Sequence, residues 1–305
     1  MKVFVPGGHG FVGQRVCKML EKKHIGYTAL AKRDGYDFRK KEDVEKAFSG
    51  GEFDYVINCA CFIGGIQFGL KYMGDIFYNN ILMSTNQMDA AMRHKVKKFI
   101  NPISNCTYPA RLTKNFNESE WWDGPLHESV MVYGYARKAS WVQSYAYKKQ
   151  YDFDTINLIL PNMYGPGDHF DEERSHALGA LIMKFIEAKR RDKKEVVAWG
   201  TGKPIREWLY VDDGAEALVR SLDIKPFIEP VNVGVGYGVS IRELAEKIKE
   251  KTGYAGGIVF DTSKPDGAPY KTMDNTRLKE IYRWVPKTSL DEGLEKTVKW
   301  YLKNR

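Results

Sequence analysis

A glycine-rich turn at the start of the chain constrains the fold more than any other feature. An apolar run over residues 2–5 leads directly into Pro6-Gly7-Gly8-His9-Gly10-Phe11-Val12-Gly13, and an amphipathic run over residues 14–22 follows. This pattern is typical of a strand, a tight turn and a helix whose N–H groups and positive end bind a pyrophosphate. Gly7 would allow the turn, Gly10 would let the phosphates approach, and Gly13 would let the helix pack on the strand. The G-x-x-G-x-x-G spacing in this context predicts a dinucleotide site.

Strand and helix patterns alternate from residue 1 to about residue 163. Apolar runs at residues 27–31, 55–60, 98–103 and 155–160 are separated by helical patterns at residues 41–48, 75–94 and 133–150. Such alternation predicts an α/β fold with a Rossmann-type, doubly wound parallel sheet. Beyond residue 163 the alternation loosens. We therefore expect a Rossmann domain over residues 1–163, with later returns near residues 206–238, and a smaller C-terminal α/β substrate-binding domain mainly over residues 164–305.

Composition narrows the classes of function. Hydrophobic residues make up 43% of the 305, and no apolar run is long enough to cross a bilayer. The net charge of +8 comes from cations scattered along helical surfaces, without the interleaved aromatics of a nucleic-acid platform. The four cysteines lack zinc spacing. We expect no nucleic-acid partner, no membrane and no metal, and a location in the cytoplasm because the chain starts directly on a strand.

The end of the second predicted strand bears on the choice of cofactor. An acidic residue at this place in a dinucleotide fold binds the ribose 2′-hydroxyl of NAD, whereas a basic residue accommodates the 2′-phosphate of NADP. Here the strand ends in Lys32 and Arg33, with no Asp or Glu. The two cations favour NADP(H) over NAD(H). The alternative is that both are ordinary surface charges.

Several short runs carry a resemblance to a known family. They are the glycine turn, the pair Ser104 and Tyr133, residues 162–167 and residues 206–213. In these the chain resembles, over nearly its whole length, the extended short-chain dehydrogenase/reductases that act on nucleotide sugars. Residues 64–66, 104–109, 165–176 and 266–271 are similar to the GDP-L-fucose synthases within that family. The resemblance implies an NADPH-dependent enzyme that epimerises C3 and C5 of a GDP-4-keto-6-deoxy sugar and then reduces C4.

The resemblance also implies roles for individual residues. Cys106 and His176 would supply the acid and base of epimerisation, and both side-chain types titrate near neutrality. Tyr133 would donate a proton to O4 during reduction, with Ser104 bonded to the same oxygen. The implied cofactor-binding residues are Gly7, Gly10, Phe11, Val12, Gly13, Lys32, Arg33, Asp37, Ala60, Tyr133 and Arg137. The implied substrate-binding residues are Asn162, Lys184, Arg206 and Lys271.

One position departs from the family pattern Tyr-x-x-x-Lys. Four residues after Tyr133 stands Arg137, and the lysine is next to it, at Lys138. Arg137 keeps a permanent charge and can donate to ribose hydroxyls, although its guanidinium is larger than an ammonium group. Lys138 lies about 100° further round the helix and should face elsewhere. We interpret Arg137 as a functional substitute for this lysine. We expect the departure from the family pattern to affect the reduction more than the epimerisation.

These observations predict an NADP(H)-dependent enzyme for a GDP-linked 4-keto-6-deoxy hexose or a related sugar such as a heptose. Family members pair two long helices per subunit in a four-helix bundle, so residues 75–94 and 133–150 predict a homodimer. The alternatives are an epimerase with tightly bound NAD(P) and no net reduction, a reductase that has lost epimerisation, and a non-enzymatic dinucleotide sensor or RNA-binding protein. Ser104, Cys106, Tyr133 and His176 together favour an enzyme, because a sensor needs none of them.

Overall fold

The computed structural model describes residues 1–305 as thirteen strands and ten helices. The strands are β1 (Lys2–Pro6), β2 (Gly26–Leu30), β3 (Tyr55–Ile57), β4 (Lys98–Ser104), β5 (Thr155–Leu160), β6 (Asn162–Tyr164), β7 (Glu195–Trp199), β8 (Ile205–Arg206), β9 (Trp208–Tyr210), β10 (Val231–Asn232), β11 (Val239–Ser240), β12 (Gly257–Asp261) and β13 (Tyr270–Lys271). The helices are α1 (Phe11–Lys22), α2 (Lys41–Ser49), α3 (Ile66–Lys71), α4 (Met73–Arg93), α5 (Met131–Tyr151), α6 (Ala177–Arg190), α7 (Val211–Arg220), α8 (Ile241–Thr252), α9 (Thr276–Tyr282) and α10 (Leu290–Asn304). None of the helices is long and apolar enough to span a bilayer.

A six-stranded parallel sheet forms the centre of the molecule, in the order β10-β5-β4-β3-β1-β2. Side chains alternate between its two faces, as in any strand. Val3 and Val5 of β1 lie in a core with α1, α7 and α9, whereas Phe4 lies in a core with α2 and α4. Helices on both faces confirm the predicted Rossmann-type, doubly wound fold.

The strand order places a ligand crevice at one edge of this sheet. The chain passes from β1 to β2 on one side and then to β3 on the other side of β1. Because the order reverses there, the helices leave opposite faces and open a crevice outside the carboxyl ends of the strands. The glycine turn after β1 and Ser104 at the end of β4 both lie at this edge.

The C-terminal part adds a smaller α/β layer with its own core. Helices α6, α8 and α10 enclose buried apolar residues such as Phe185, Leu244 and Leu294. Three small sheets belong to this half, in the orders β11-β8-β13, β12-β7 and β6-β9. Strand β10 and helix α7 return to the first core. The predicted domain boundary at residue 163 stays a prediction.

Two differences between the structure and the sequence-based expectation bear on the site. The sequence pattern of residues 206–211 predicts one strand, but β8 and β9 belong to different sheets and Glu207 separates them. The buried Glu207 carboxylate accepts backbone N–H bonds from Val235, Gly236 and Met273, which holds the break in place. Helix α3, which follows the loop at residues 62–65, was not predicted. Its six residues are too few for a clear helical pattern.

Candidate active site

A cleft of about 1080 Å³ opens over the carboxyl edge of the central sheet. One wall comes from the glycine turn and the ends of β3 and β4, and the other from α6, β8 and β13. The predicted site residues that line it are Gly7, Gly10, Phe11, Val12, Lys32, Asp37, Ala60, Ser104, Cys106, Tyr133, Arg137, Asn162, His176, Lys184, Arg206 and Lys271. Gly13 and Arg33 are the two that do not.

The glycine turn fits a bound dinucleotide. Gly7 has φ +74°, and a Cβ there would lie 2.7 Å from the backbone nitrogen of Ala60. A Cβ on Gly13 would lie 2.2 Å from the Gly7 carbonyl oxygen, so Gly13 lets α1 pack on the turn. Helix α1 has no side-chain cap at Gly10 and no acidic residue in its first turn. Its free N–H groups and positive end therefore suit a pyrophosphate.

The far end of this wall contains an arginine that the sequence reasoning missed. Arg39 lines the cleft beside Asp37, and its Nε donates to the Asp37 carboxylate over 2.8 Å. This hydrogen bond is the main reason that the pKa of Asp37 falls to about 2. Arg39 also bonds the Asn79 side chain at 3.1 Å. Lys32 and Arg39 line the cleft, whereas Arg33 does not.

Ser104 and Tyr133 both line the cleft. Ser104 ends β4, and its Oγ accepts the N–H of Cys106 over 3.2 Å. That bond uses an acceptor site of the hydroxyl and leaves its proton free to donate. Burial raises the pKa of Tyr133, and the nearby positive charge of Arg137 opposes the rise. Tyr133 therefore keeps its proton at neutral pH, as a proton donor must.

Arg137 and Lys138 are adjacent in sequence, but their side chains lie in different surroundings. Arg137 is buried against β4 and α4, where its guanidinium donates to the Pro102 carbonyl oxygen and, at 3.2 Å, to Ser84 Oγ. Lys138 points away and lies 4.2 Å from the ring centre of Trp122. Burial lowers the pKa of Lys138 to about 8. As predicted, Lys138 faces elsewhere and does not line the cleft.

Cys106 and His176 line the same cleft and come from opposite halves of the chain. Cys106 follows β4, and its Sγ accepts a hydrogen bond from Lys271 Nζ at 3.2 Å. His176 immediately precedes α6. Burial, with the positive charges of Lys271 and His169 adding to it, lowers the pKa of His176 to about 4. The imidazole is therefore neutral at pH 7 and offers one donor and one acceptor nitrogen.

Two buried cations, Arg206 and Lys271, form a cationic corner near Cys106. Arg206 on β8 is the register partner of Lys271 on β13. The Arg206 guanidinium donates to the Asp266 carbonyl oxygen at 3.2 Å, and burial lowers its pKa to about 10, which still leaves it charged at pH 7. Lys184 is less free, because its Nζ donates to the Val197 carbonyl oxygen at 2.9 Å. Asn162 begins β6 on the adjacent wall.

Comparison with known proteins agrees with this geometry. The model of the NAD dependent epimerase/dehydratase family matches residues 3–234. A probable GDP-L-fucose synthase 1 from Oryza sativa subsp. japonica is 40% identical over 99% of this chain and 92% of its own length. The GDP-L-fucose synthase of Escherichia coli K12 is 34% identical over 100% of this chain and 97% of its own length.

Solved structures match over the whole chain. A GDP-6-OMe-4-keto-L-xylo-heptose reductase from C. jejuni superposes with a TM-score of 0.94 at 25% identity, covering 100% of this chain and 98% of its own. A GDP-L-fucose synthetase from Naegleria fowleri bound to NADP gives 0.89 at 28% identity, covering 99% and 93%. The chain therefore belongs to the NAD dependent epimerase/dehydratase family, the extended short-chain dehydrogenase/reductases, and groups with its GDP-L-fucose synthases.

Proposed function

We propose that the protein is an NADPH-dependent 3,5-epimerase and 4-reductase for a GDP-linked 4-keto-6-deoxy sugar. One observation carries the proposal. Cys106, His176, Tyr133 and Ser104 line a single cleft that runs from the glycine turn to the corner of Arg206 and Lys271. An acid–base pair, an oxyanion donor pair, a dinucleotide cradle and a cationic corner are the components that the two reactions need. Relatives named GDP-L-fucose synthase support the same activity.

Epimerisation needs proton exchange at carbons next to the ketone. The C4 carbonyl acidifies the protons at C3 and C5, because it can hold the negative charge of the enolate. Tyr133 and Ser104 would donate hydrogen bonds to that oxygen and stabilise the charge as it develops. The neutral imidazole of His176 can accept a proton, and the Cys106 thiol can donate one. The pair would serve opposite faces of the sugar ring, as inversion requires.

Reduction would use the same oxygen site. The glycine turn, Ala60, Lys32 and Arg39 would hold the cofactor, and Arg137 would bind its nicotinamide ribose. NADPH supplies the hydride to C4 when bound. Tyr133, which burial keeps protonated, would deliver the proton to O4. The Arg137 charge would then stabilise the tyrosinate that remains until solvent restores the proton.

The cationic corner would anchor the nucleotide. A diphosphate carries charge that buried guanidinium and ammonium groups match. Arg206 and Lys271 are both buried, yet neither has a carboxylate partner. Their charges would be satisfied by the ligand. Lys184 and Asn162 would lie beside the nucleotide and the sugar, and Lys184 would contribute least because it already bonds a backbone carbonyl.

The direct test is NADPH consumption with GDP-4-keto-6-deoxy-mannose, followed by the nicotinamide absorbance, with the product identified by NMR. The proposal expects one NADPH oxidised for each GDP-6-deoxy-sugar formed, inverted at C3 and C5. A product that is inverted without NADPH loss would instead identify the alternative, an epimerase without net reduction. If neither NADPH oxidation nor inversion is observed, the proposed substrate is wrong.

We also propose a homodimer built on α4 and α5. The two helices pack together, with Tyr147 donating to Asp89 at 2.9 Å. Their outer faces carry exposed apolar residues, among them Tyr78 at 61% and Val142 at 47% exposure. Light scattering should give twice the chain mass, and Val142→Glu should give a monomer. Val259→Glu, at a valine on β12 that is 41% exposed, is the control that should stay dimeric.

The four free cysteines fit a reducing compartment such as the predicted cytoplasm.

A further inference from the structure

Arg174 is a cleft-lining arginine whose charge has no partner in the protein. Its Nε is buried without a hydrogen-bond partner, and its guanidinium lies 5.4 Å from the ring centre of Phe68. The nearest carboxylate in sequence, Glu173, is occupied by Lys71 at 2.9 Å and by the Tyr72 hydroxyl at 2.7 Å. An aromatic face supports a cation but does not replace oxygen acceptors. The guanidinium is therefore open to an acceptor from a ligand.

The backbone around Arg174 is fixed, which holds the side chain in the cleft. The Arg174 N–H donates to the Asp171 carboxylate at 2.6 Å, and its carbonyl oxygen accepts the Gly65 N–H at 3.0 Å. A Cβ on Gly65 would lie 2.2 Å from the Ser175 carbonyl oxygen, so the two segments are in close contact. His176 follows two residues later. The guanidinium is thus placed on the wall that also carries a proposed acid–base residue.

Arg174 lies on the catalytic side of the cleft and not at the diphosphate corner. Arg174 packs on Phe68 of α3, and its carbonyl oxygen accepts the Gly65 N–H, so it lies against the segment that follows β3. Arg206 and Lys271 instead lie on β8 and β13, and the Arg206 guanidinium donates to the Asp266 carbonyl oxygen. Because Arg174 belongs to a different segment, next to the proposed acid–base residue His176, we place its open guanidinium beside the sugar and not beside the diphosphate.

We propose that Arg174 binds an oxygen substituent at C6 of the sugar, so that the site accepts GDP-4-keto sugars with a hydroxylated C5 side chain, such as heptoses. The inference rests on the proposed function and deepens it. A 6-deoxy sugar ends in a methyl group, which offers a guanidinium no acceptor, whereas a C6–C7 diol offers two oxygens to its fork. The heptose reductase from C. jejuni, with a TM-score of 0.94, has a superposable fold.

The test compares two substrates and three proteins. The substrates are GDP-4-keto-6-deoxy-mannose and the GDP-linked 4-keto heptose with a free C6 hydroxyl. The proteins are the wild type, Arg174→Met and the control Arg191→Met, whose arginine is exposed at the end of α6, outside the cleft. Arg174→Met should lower the heptose-to-hexose ratio of kcat/KM by about 10- to 100-fold, the range for a lost charge-assisted hydrogen bond. Arg191→Met should leave the ratio unchanged.

The possible results distinguish failure of the inference about Arg174 from failure of the proposed function. A wild type that reduces the hexose and not the heptose overturns the inference and leaves the proposed function intact. Equal losses on both substrates would also overturn it, because Arg174 would then serve a shared part of the ligand. A wild type inactive on both refutes the proposed function and the inference together. If Arg174→Met does not fold, Arg174→Lys keeps the charge without the fork, and the inference expects a smaller fall in the same ratio.

Discussion

The Lys271 ammonium donates a hydrogen bond to the Cys106 thiol over 3.2 Å. Lys271 is also the register partner of Arg206 across β13 and β8. Lys271 therefore belongs both to the hydrogen bond of the thiol in the proposed acid–base pair and to the proposed diphosphate anchor. A diphosphate that attracts Lys271 changes the hydrogen bonding of the thiol at the same time. Substrate binding and proton exchange should be coupled.

Replacing this ammonium should affect both steps. Lys271→Met keeps the stem and removes the charge, so KM for the GDP-sugar should rise by about 10-fold, as expected for a lost charge-assisted hydrogen bond. Deuterium exchange at C3 and C5, measured at saturating substrate, should also slow. The matched control is Lys279→Met on the exposed side of α9. A variant with raised KM and unaltered exchange would show that Lys271 acts on the nucleotide alone.

The low pKa of His176 gives a prediction about pH. A folded-state pKa of about 4 lies below the ordinary histidine value of about 6.5. The unfolded chain then binds a proton that the folded chain does not, so this residue destabilises the fold progressively as pH falls from about 6.5 to about 4. Histidine NMR should show no titration of His176 between pH 5.5 and 8, and the His176→Gln variant identifies its resonance. A titration midpoint near pH 6.5 would show that the pKa of His176 is not lowered.

Cofactor choice should depend on one of two adjacent cations. Lys32 lines the cleft and Arg33 does not. Lys32→Met should therefore lower kcat/KM for NADPH by about 10-fold and leave NADH nearly unaffected, because only NADPH carries the 2′-phosphate. Arg33→Met is the neighbouring control and should stay within about 2-fold of the wild type. If the Arg33 variant shows the larger loss, the assignment of the two cations is wrong.

Arg137 should carry the charge that the reduction needs. Arg137→Met should slow reduction of an already epimerised substrate by about 100-fold, the order expected when a proton donor loses its supporting charge. Reduction is measured by single-turnover NADPH oxidation. Lys138→Met, one residue further along α5, should retain the reduction rate because Lys138 packs on Trp121 and Trp122 outside the cleft. Equal rates for the wild type and Arg137→Met would remove Arg137 from the reaction.

The features of the fold and the site that depend on the order of strands and helices could be predicted from the sequence. The glycine turn and the residues that follow β4 could be assigned to one sheet edge, because parallel strands bring their carboxyl ends together. Arg39 and Arg174 could not be found in this way. Their presence in the cleft follows from side-chain pairing with Asp37 and stacking on Phe68, which no local spacing records. The break between β8 and β9 at Glu207 was not predicted for a related reason, because the backbone groups that bond Glu207 lie far away in the sequence.

The most direct test of a bifunctional site is the reaction in deuterated water with GDP-4-keto-6-deoxy-mannose and NADPH. We expect the wild type to give a reduced product with deuterium at both C3 and C5. We also expect Cys106→Ser to lose deuterium incorporation but still to reduce a substrate supplied with C3 and C5 already inverted. Reduction by the wild type without deuterium at either carbon would contradict a bifunctional site, because proton exchange at C3 and C5 would then play no part in the reaction.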